Sequence, residues 1–307
     1  MTRQALLLFI DGLGLGADDP AVNPVVAAHT PCLDALLGRK LAGLTARFEH
    51  DGALVVPTDA TLGVGGLPQS ATGQTALLTG LNAPQVVGRH ITAYPTKTLR
   101  GLLTDHNLFS RVKALGGTVA LANAYTDEYF ARVEAGEMRH AAITFSALAA
   151  GIPLRGLEDL QQGRAVFHDL TNARPRSWGY DVPAITPHQA GKNLAGIAAG
   201  CHLTVFEFFL TDLSAHHRID QPPAAVVTMV DALLAGVLET TDLSTMLVML
   251  TSDHGNIEDG RVDTHTRNPI PTLLVGHGRR DVGERITALT DITPALVGWL
   301  AEAISRG

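Results

Sequence analysis

The chain alternates short, almost wholly apolar runs with stretches in which apolar residues recur every three to four positions. The runs lie at 6–10, 119–122, 203–210, 246–250 and 272–275, each closed by polar residues or glycine. Runs of this length without polar alternation are expected of strands buried on both faces, as in a parallel sheet. The clearest helical stretch is 223–238, where Val226, Met229, Val230, Leu233, Leu234, Val237 and Leu238 recur at helical spacing after prolines suited to a first turn. A last helix is expected from Thr293-Pro294, burying Leu296, Val297, Leu300 and Ile304. Such alternation predicts an α/β fold, a three-layer sandwich with a mostly parallel central sheet.

Residues 127–189 break the pattern, with a short helical stretch at 146–150 and the segments Arg174-Pro175-Arg176 and Asp181-Val182-Pro183. The expected organisation is a core of residues 1–126 and 190–307 with an inserted cap at 127–189, where substrate selectivity would lie. A chain of 307 residues has room for one large domain carrying such an insertion. With 46% hydrophobic and 17% charged residues the composition is that of an ordinary globular protein.

A net charge of -7 argues against a nucleic-acid surface, which needs concentrated basic charge, and points to small-molecule partners. The apolar start at 5–10 is too short for a signal sequence or membrane span, so the expected location is the cytoplasm. Cys32 and Cys201 form no paired-thiol motif and are expected to be reduced. Any metal would therefore be held by oxygen and nitrogen. Nothing in the sequence bears on oligomeric state.

Ligands of open parallel sheets collect beyond the carboxyl ends of the strands, so the residues closing each run carry the chemistry. The first run ends in Asp11-Gly12-Leu13-Gly14-Leu15-Gly16, the third in Asp212-Leu213-Ser214-Ala215-His216 and the fourth in Asp253-His254-Gly255-Asn256. His265 lies shortly before the fifth. The glycine spacing misses the dinucleotide fingerprint, and Asp11 would repel a phosphate there. Asp212 and His216, four apart, share one face of a helical turn, although a helix-start aspartate with a solvated histidine reads the same way. Asp253 and His254 converge only if the strand stops at Gly255; an exposed polar turn is the alternative. His265 alone could be a surface or satisfied core histidine. Together, three aspartates and three histidines fall where one centre could gather them.

Ser70, in Gln69-Ser70-Ala71-Thr72-Gly73-Gln74, stands at the start of a helix that Gly80 would stop. It is either an ordinary N-cap or a nucleophile at a helix start that favours an anion.

These five clusters, in this order, resemble the alkaline phosphatase superfamily, most closely its branch of cofactor-independent phosphoglycerate mutases and phosphopentomutases. The resemblance rests on the Asp11 strand end, Ser70-Ala71-Thr72-Gly73, Asp212 with His216, Asp253-His254-Gly255-Asn256 and His265-Thr266-Arg267-Asn268-Pro269-Ile270-Pro271. It implies that Asp11, Ser70, Asp253 and His254 bind one ion while Asp212, His216 and His265 bind another. Two departures stand out. The mutase branch has histidine where this chain has Gln74, and its cap is much larger. The Pro-x-Arg pattern of sulfatases is missing after Ser70.

Three aspartates and an ionised Ser70 bring four negative charges, which two divalent cations would cancel. Ligands without thiolate suit zinc or manganese better than magnesium, given three histidines. An incoming phosphate would need a further cation, for which Arg89 in Gly88-Arg89-His90 is the candidate. The implied activity is two-metal phosphoryl transfer through a phosphoserine, as a hydrolase of phosphate monoesters or diesters. An intramolecular phosphomutase comes second and a non-catalytic metal-binding protein third.

Overall fold

The computed structural model describes residues 3–304. Its strands are β1 Gln4–Ile10, β2 Phe48–His50, β3 Ala53–Thr58, β4 Val119–Leu121, β5 Leu203–Phe208, β6 Met246–Thr251 and β7 Ile270–Gly276. They form one sheet in the order β2-β3-β7-β6-β1-β5-β4. Side chains along β1 alternate between two buried layers. Leu7 and Phe9 meet Leu77, Phe109 and Leu296 on one face, while Leu6, Leu8 and Ile10 meet Leu194, Val226 and Leu234 on the other. Helices cover both faces, which is why the strand shows no polar alternation.

The sheet is parallel from β6 through β1 and β5 to β4, but β7 runs antiparallel to both β6 and β3. The run at 272–275, expected as a parallel strand, therefore points the other way. A parallel return needs a crossover, usually a helix. Residues 252–269 contain no helix, so the chain turns back at the same edge. Strand β3 escaped the pattern because Pro57 interrupts its apolar run and a proline normally argues against an interior strand. Pro57 sits opposite Pro271 of β7.

The last helix spans Leu289–Ile304 and begins upstream of Thr293, with Pro294 inside it. The Asp291 carboxylate accepts from the backbone N–H of Thr287 and Ala288, both at 2.9 Å, and so supplies the cap earlier than the proline suggested. Helix Pro223–Thr240 is long and apolar enough to cross a membrane by those measures alone. Here its Val226, Val230, Leu233 and Val237 are buried in the core. It crosses helix Pro187–Ala198 at Gly191 and Gly236, where a Cβ on either glycine would strike the facing backbone carbonyl of Leu233 or His188.

Between 127 and 189 lie short helices Asp127–Glu134, Ala142–Ala149, Leu157–Gln161 and Ala173–Ser177. Helix Ala142–Ala149 buries Ala142, Ile143 and Ala147 in the main core. Further along, Leu160, Ala165, Phe167 and Val182 form a small separate apolar cluster with Ala124.

Candidate metal centre

Four connections meet at the carboxyl edge of the parallel strands. Asp11 follows β1, Asp212 lies on the turn Leu210–Ala215 after β5, and Asp253 and His254 follow β6. His265 precedes β7, and because β7 is antiparallel its amino end lies at that same edge. Strand β3 runs with β6, so the loop after it delivers helix Ser70–Thr79 there too. Gln69 is the cap of that helix and Ser70 its first residue. The Ser70 hydroxyl does not cap the helix; its Oγ stands 3.0 Å from His254 Nε2.

The donor atoms are spaced as ligands of common ions would be. A tetrahedral cation with bonds of about 2.0–2.1 Å places its ligands about 3.4 Å apart. In one group His216 Nε2 is 3.1 Å from His265 Nε2, and each is 3.5 Å from Asp212 Oδ1. In the other, His254 Nε2 is 3.3 Å from Asp11 Oδ1, 3.5 Å from Asp253 Oδ2 and 3.0 Å from Ser70. Candidate ligand atoms of Asp11, Asp212 and His254 lie within 4.8 Å of one another, so Asp212 stands between the two groups. Asp11 Oδ1 is buried without a hydrogen-bond partner, an orphan that a cation would satisfy.

The tautomers agree with this arrangement. Pro68 O can only accept, so His265 Nδ1, 2.8 Å away, carries a proton and leaves Nε2 facing the other donors. His254 Nδ1 lies 3.4 Å from Gly255 O, and the two imidazoles stack at 3.7 Å. Burial, with Asp253 and Asp212 close by, pushes the Asp11 carboxyl well above the usual range. Burial and Asp212 push Asp253 up to about 7. Burial and His265 push His254 down to about 3. Burial would also raise Asp212, but hydrogen bonds from His265 and Asn256 and the nearby histidines hold it below its ordinary value. Burial works against a charged His265, yet Asp212 and Pro68 raise it. A cation must displace protons from these groups, so its affinity would rise with pH.

Three residues that motif reasoning left without a role support the cluster. Glu258 is buried; it accepts from Gly14 N at 3.0 Å, Asn256 N at 2.7 Å and Asn268 Nδ2 at 3.0 Å, and also from the Thr266 hydroxyl. It thereby ties together the segments that carry Asp11, Asp253 and His265. A Cβ at Gly14 or Gly255 would collide with its carboxylate, which accounts for those two glycines without any phosphate loop. Asn256 Nδ2 donates to Asp212 Oδ1 at 2.8 Å. Gln74 Nε2 lies 3.4 Å from Asp11 Oδ2 and 3.3 Å from Asp253 Oδ2, a neutral amide between two carboxyls.

The centre opens into a cavity of about 550 Å³, lined by Asp11, Ser70, Gln74 and Asp212 on one side and by segment 123–178 on the other. Glu207, inside β5, also faces it; burial and Asp253 push its carboxyl up to about 8. A glutamate in a strand otherwise apolar but for Thr204 was a readable signal, since burying a charge there is costly. Arg89 is not brought in. It is exposed, following Gly88, which ends helix Ala83–Val87 in a left-handed turn, and it is absent from the cavity wall. The arginines that line the cavity are Arg132, Arg139, Arg174 and Arg218.

The fold is an alkaline-phosphatase-like α/β sandwich. The structure of alkaline phosphatase from the Antarctic bacterium TAB5 superposes with a TM-score of 0.52 at 12% identity, covering 98% of this chain and 99% of that one. A Pyrococcus horikoshii structure, the PH0037 protein, superposes with a TM-score of 0.59 at 13% identity over 100% of this chain and 98% of the other. Residues 194–300 match the model of the Metalloenzyme superfamily. Over that segment the chain is similar to the metalloenzyme superfamily, and over its length it shares the fold of the alkaline phosphatase structure. Among curated relatives, the 2,3-bisphosphoglycerate-independent phosphoglycerate mutase of Syntrophotalea carbinolica is 31% identical over 123 residues, 38% of this chain and 23% of that enzyme. The chain thus spans less than a third of the length of the curated relatives it matches.

Proposed function

We propose that this chain is a two-metal phosphoryl-transfer enzyme that works through a phosphoserine at Ser70 and acts as a hydrolase of phosphate monoesters or diesters. The observation that carries the reading is the position of Ser70 Oγ, at a helix start and 3.0 Å from His254 Nε2. In this reading Asp11, Asp253, His254 and Ser70 hold one divalent ion and Asp212, His216 and His265 the other, with zinc or manganese suited to the donor set. The bound ions would lower the pKa of the Ser70 hydroxyl and offset the charge of the phosphoryl group.

The residues of the chain do the rest. Ser70 Oγ attacks phosphorus, the ester P–O bond breaks, and the departing oxygen leaves as the alcohol with a proton that replaces the one lost by Ser70. Water then attacks the phosphoserine, restores the Ser70 hydroxyl and releases inorganic phosphate from a monoester or a phosphate monoester from a diester. Asn256 holds Asp212 in place, and Gln74 separates Asp11 from Asp253. The part of 127–189 outside helix Ala142–Ala149 acts as the cap over the cavity. Arg139, Arg174 and Arg218 take over from Arg89 as candidate anion-binding cations.

The similarity to phosphoglycerate mutases favours a second reading, transfer of the phosphoserine group to another hydroxyl of the substrate. The two differ in product: a hydrolase releases an alcohol together with inorganic phosphate or, from a diester, a phosphate monoester, whereas a mutase returns an isomeric ester. The test is a phosphate-ester screen with metal-loaded protein, repeated with Ser70→Ala. Loss of at least about 10³-fold in turnover with metal content retained is expected, because the displacement route then has no first step. Near-normal turnover by Ser70→Ala would refute the phosphoserine.

A further inference from the structure

The cavity beside the metal centre is larger than a phosphoryl group needs; about 550 Å³ falls in the range of about 300–1,000 Å³ that encloses a drug-sized ligand. Its far walls are aromatic. Tyr125 and Tyr129 form one cluster, with ring centroids 4.8 Å apart. Phe167, Trp178 and Phe209 gather around His168 in another: His168 lies 4.1 Å from Phe167 and 4.8 Å from Phe209, and Trp178 stands edge-on to Phe167 at 6.2 Å. Three of the chain's four tyrosines, Tyr94, Tyr125 and Tyr129, line this one cavity. A small aliphatic phosphate would leave those walls without a partner.

The same walls carry four arginines together with Glu128 and Glu207. Arg139, Arg174 and Arg218 line the cavity, and none of them is in an ion pair among the described residues. Arg174 instead lies 5.7 Å over the Trp178 ring. His168 Nε2 is buried without a hydrogen-bond partner, and burial together with Arg174 holds that ring neutral. It is thus free to make one hydrogen bond to a bound ligand.

We propose that the cavity takes a phosphate ester whose alcohol part carries a planar aromatic ring and a second anionic group, the ring packing between the two aromatic clusters and the second anion meeting Arg139, Arg174 and Arg218. The placement of the first phosphate rests on the phosphoryl-transfer reading. A ring stacked on aromatic side chains gains enough to be read in a titration, and arginine both stacks and pairs with phosphate.

The test uses metal-loaded Ser70→Ala protein, which can bind without turning over. Of the chain's two tryptophans, Trp299 is 1% exposed in the core and Trp178 is 46% exposed in the cavity wall, so ligand-induced quenching reports on the cavity. Titrations with AMP, adenosine 3′,5′-bisphosphate and ribose 5-phosphate should show AMP binding at least about tenfold tighter than ribose 5-phosphate, and the bisphosphate tighter than AMP. Adding Phe209→Leu should remove most of the advantage of AMP, while Phe209→Tyr, which keeps a ring, should retain it. Arg174→Ala should reduce the advantage of the bisphosphate over AMP. Equal affinity for AMP and ribose 5-phosphate, or no binding of AMP, overturns the proposal. If the unaltered enzyme then hydrolyses aliphatic esters, phosphoryl transfer survives and the ring site does not. If AMP binds as expected but no ester is turned over, the ring site stands and the phosphoryl-transfer reading falls.

Discussion

Replacing Asp253 by asparagine should have opposite effects on stability with and without metal. Asp253 is wholly buried, 3.3 Å from Gln74 Nε2 and 3.5 Å from His254 Nε2. In the metal-free protein its carboxyl is pushed from 3.8 up to about 7 by burial and by Asp212. A group raised on folding contributes stability that is present below its unfolded value and lost as pH rises through its folded value. The window here runs from 3.8 to about 7. Across it the cost of ionising Asp253 grows to about 4 kcal/mol, and relaxation around the site would reduce this to about 2–4 kcal/mol. Asparagine has nearly the same shape, can still accept from Gln74 and carries no charge. Metal-free Asp253→Asn should therefore be more stable than the unaltered protein at pH 8 by about 2–4 kcal/mol, or about 3–6 °C in melting temperature for a chain of this size. At pH 4.5 the difference should shrink to about 1 kcal/mol or less. With saturating zinc at pH 8 the order should reverse, because under the proposed two-metal reading the variant has lost a charged ligand. Thermal denaturation with chelator at the two pH values, and with zinc at pH 8, reads all three conditions. A metal-free variant no more stable than the unaltered protein at pH 8, or a difference independent of pH, would refute the reasoning.

Glu207→Gln tests burial separately from ligation: Glu207 is pushed up from 4.5 to about 8, so stability is lost as pH rises through that window. In chelator the variant should gain about 2–4 kcal/mol at pH 9 and nothing at pH 4, measured by urea denaturation across pH. Gly236→Ala should destabilise by about 1–3 kcal/mol, because its methyl meets the His188 carbonyl where the two helices cross. Gly196→Ala on helix Pro187–Ala198, with nothing within 4 Å of its Cβ, should be neutral or slightly stabilising; equal losses for the pair in urea melts would remove the close-approach argument.

The sandwich and most of the centre were legible in the sequence, for reasons seen in particular residues. Strands β1, β5 and β6 are buried on both faces, so their runs are almost wholly apolar, Thr204 and Glu207 of β5 excepted, and the aspartates beyond them mark the sheet edge. Asp11 and Asp253 stand just past such ends, and Asp212 follows a few residues later on a helical turn with His216 at its C-cap. Glu258 was illegible for the opposite reason. Its partners Asn256, Thr266 and Asn268 lie within 10 residues of it on an irregular connection and Gly14 lies 244 residues away, so no regular spacing announces them.

What the sequence alone determined is local: which runs are buried, where they stop, and which acids and histidines stand at the stops. Direction and side-chain reach belong to the tertiary structure. Read as a parallel strand, β7 would carry His265 to the far edge of the sheet. The helix-free connection 252–269 turns it antiparallel and brings His265 within 3.1 Å of His216. Arg89 is near Ser70 in sequence yet remains exposed, while Arg174, far along the chain, lines the cavity. Both outcomes follow from the packing of whole elements, because a hydrophobic run records that it is buried but not which way it runs or what lies across from it.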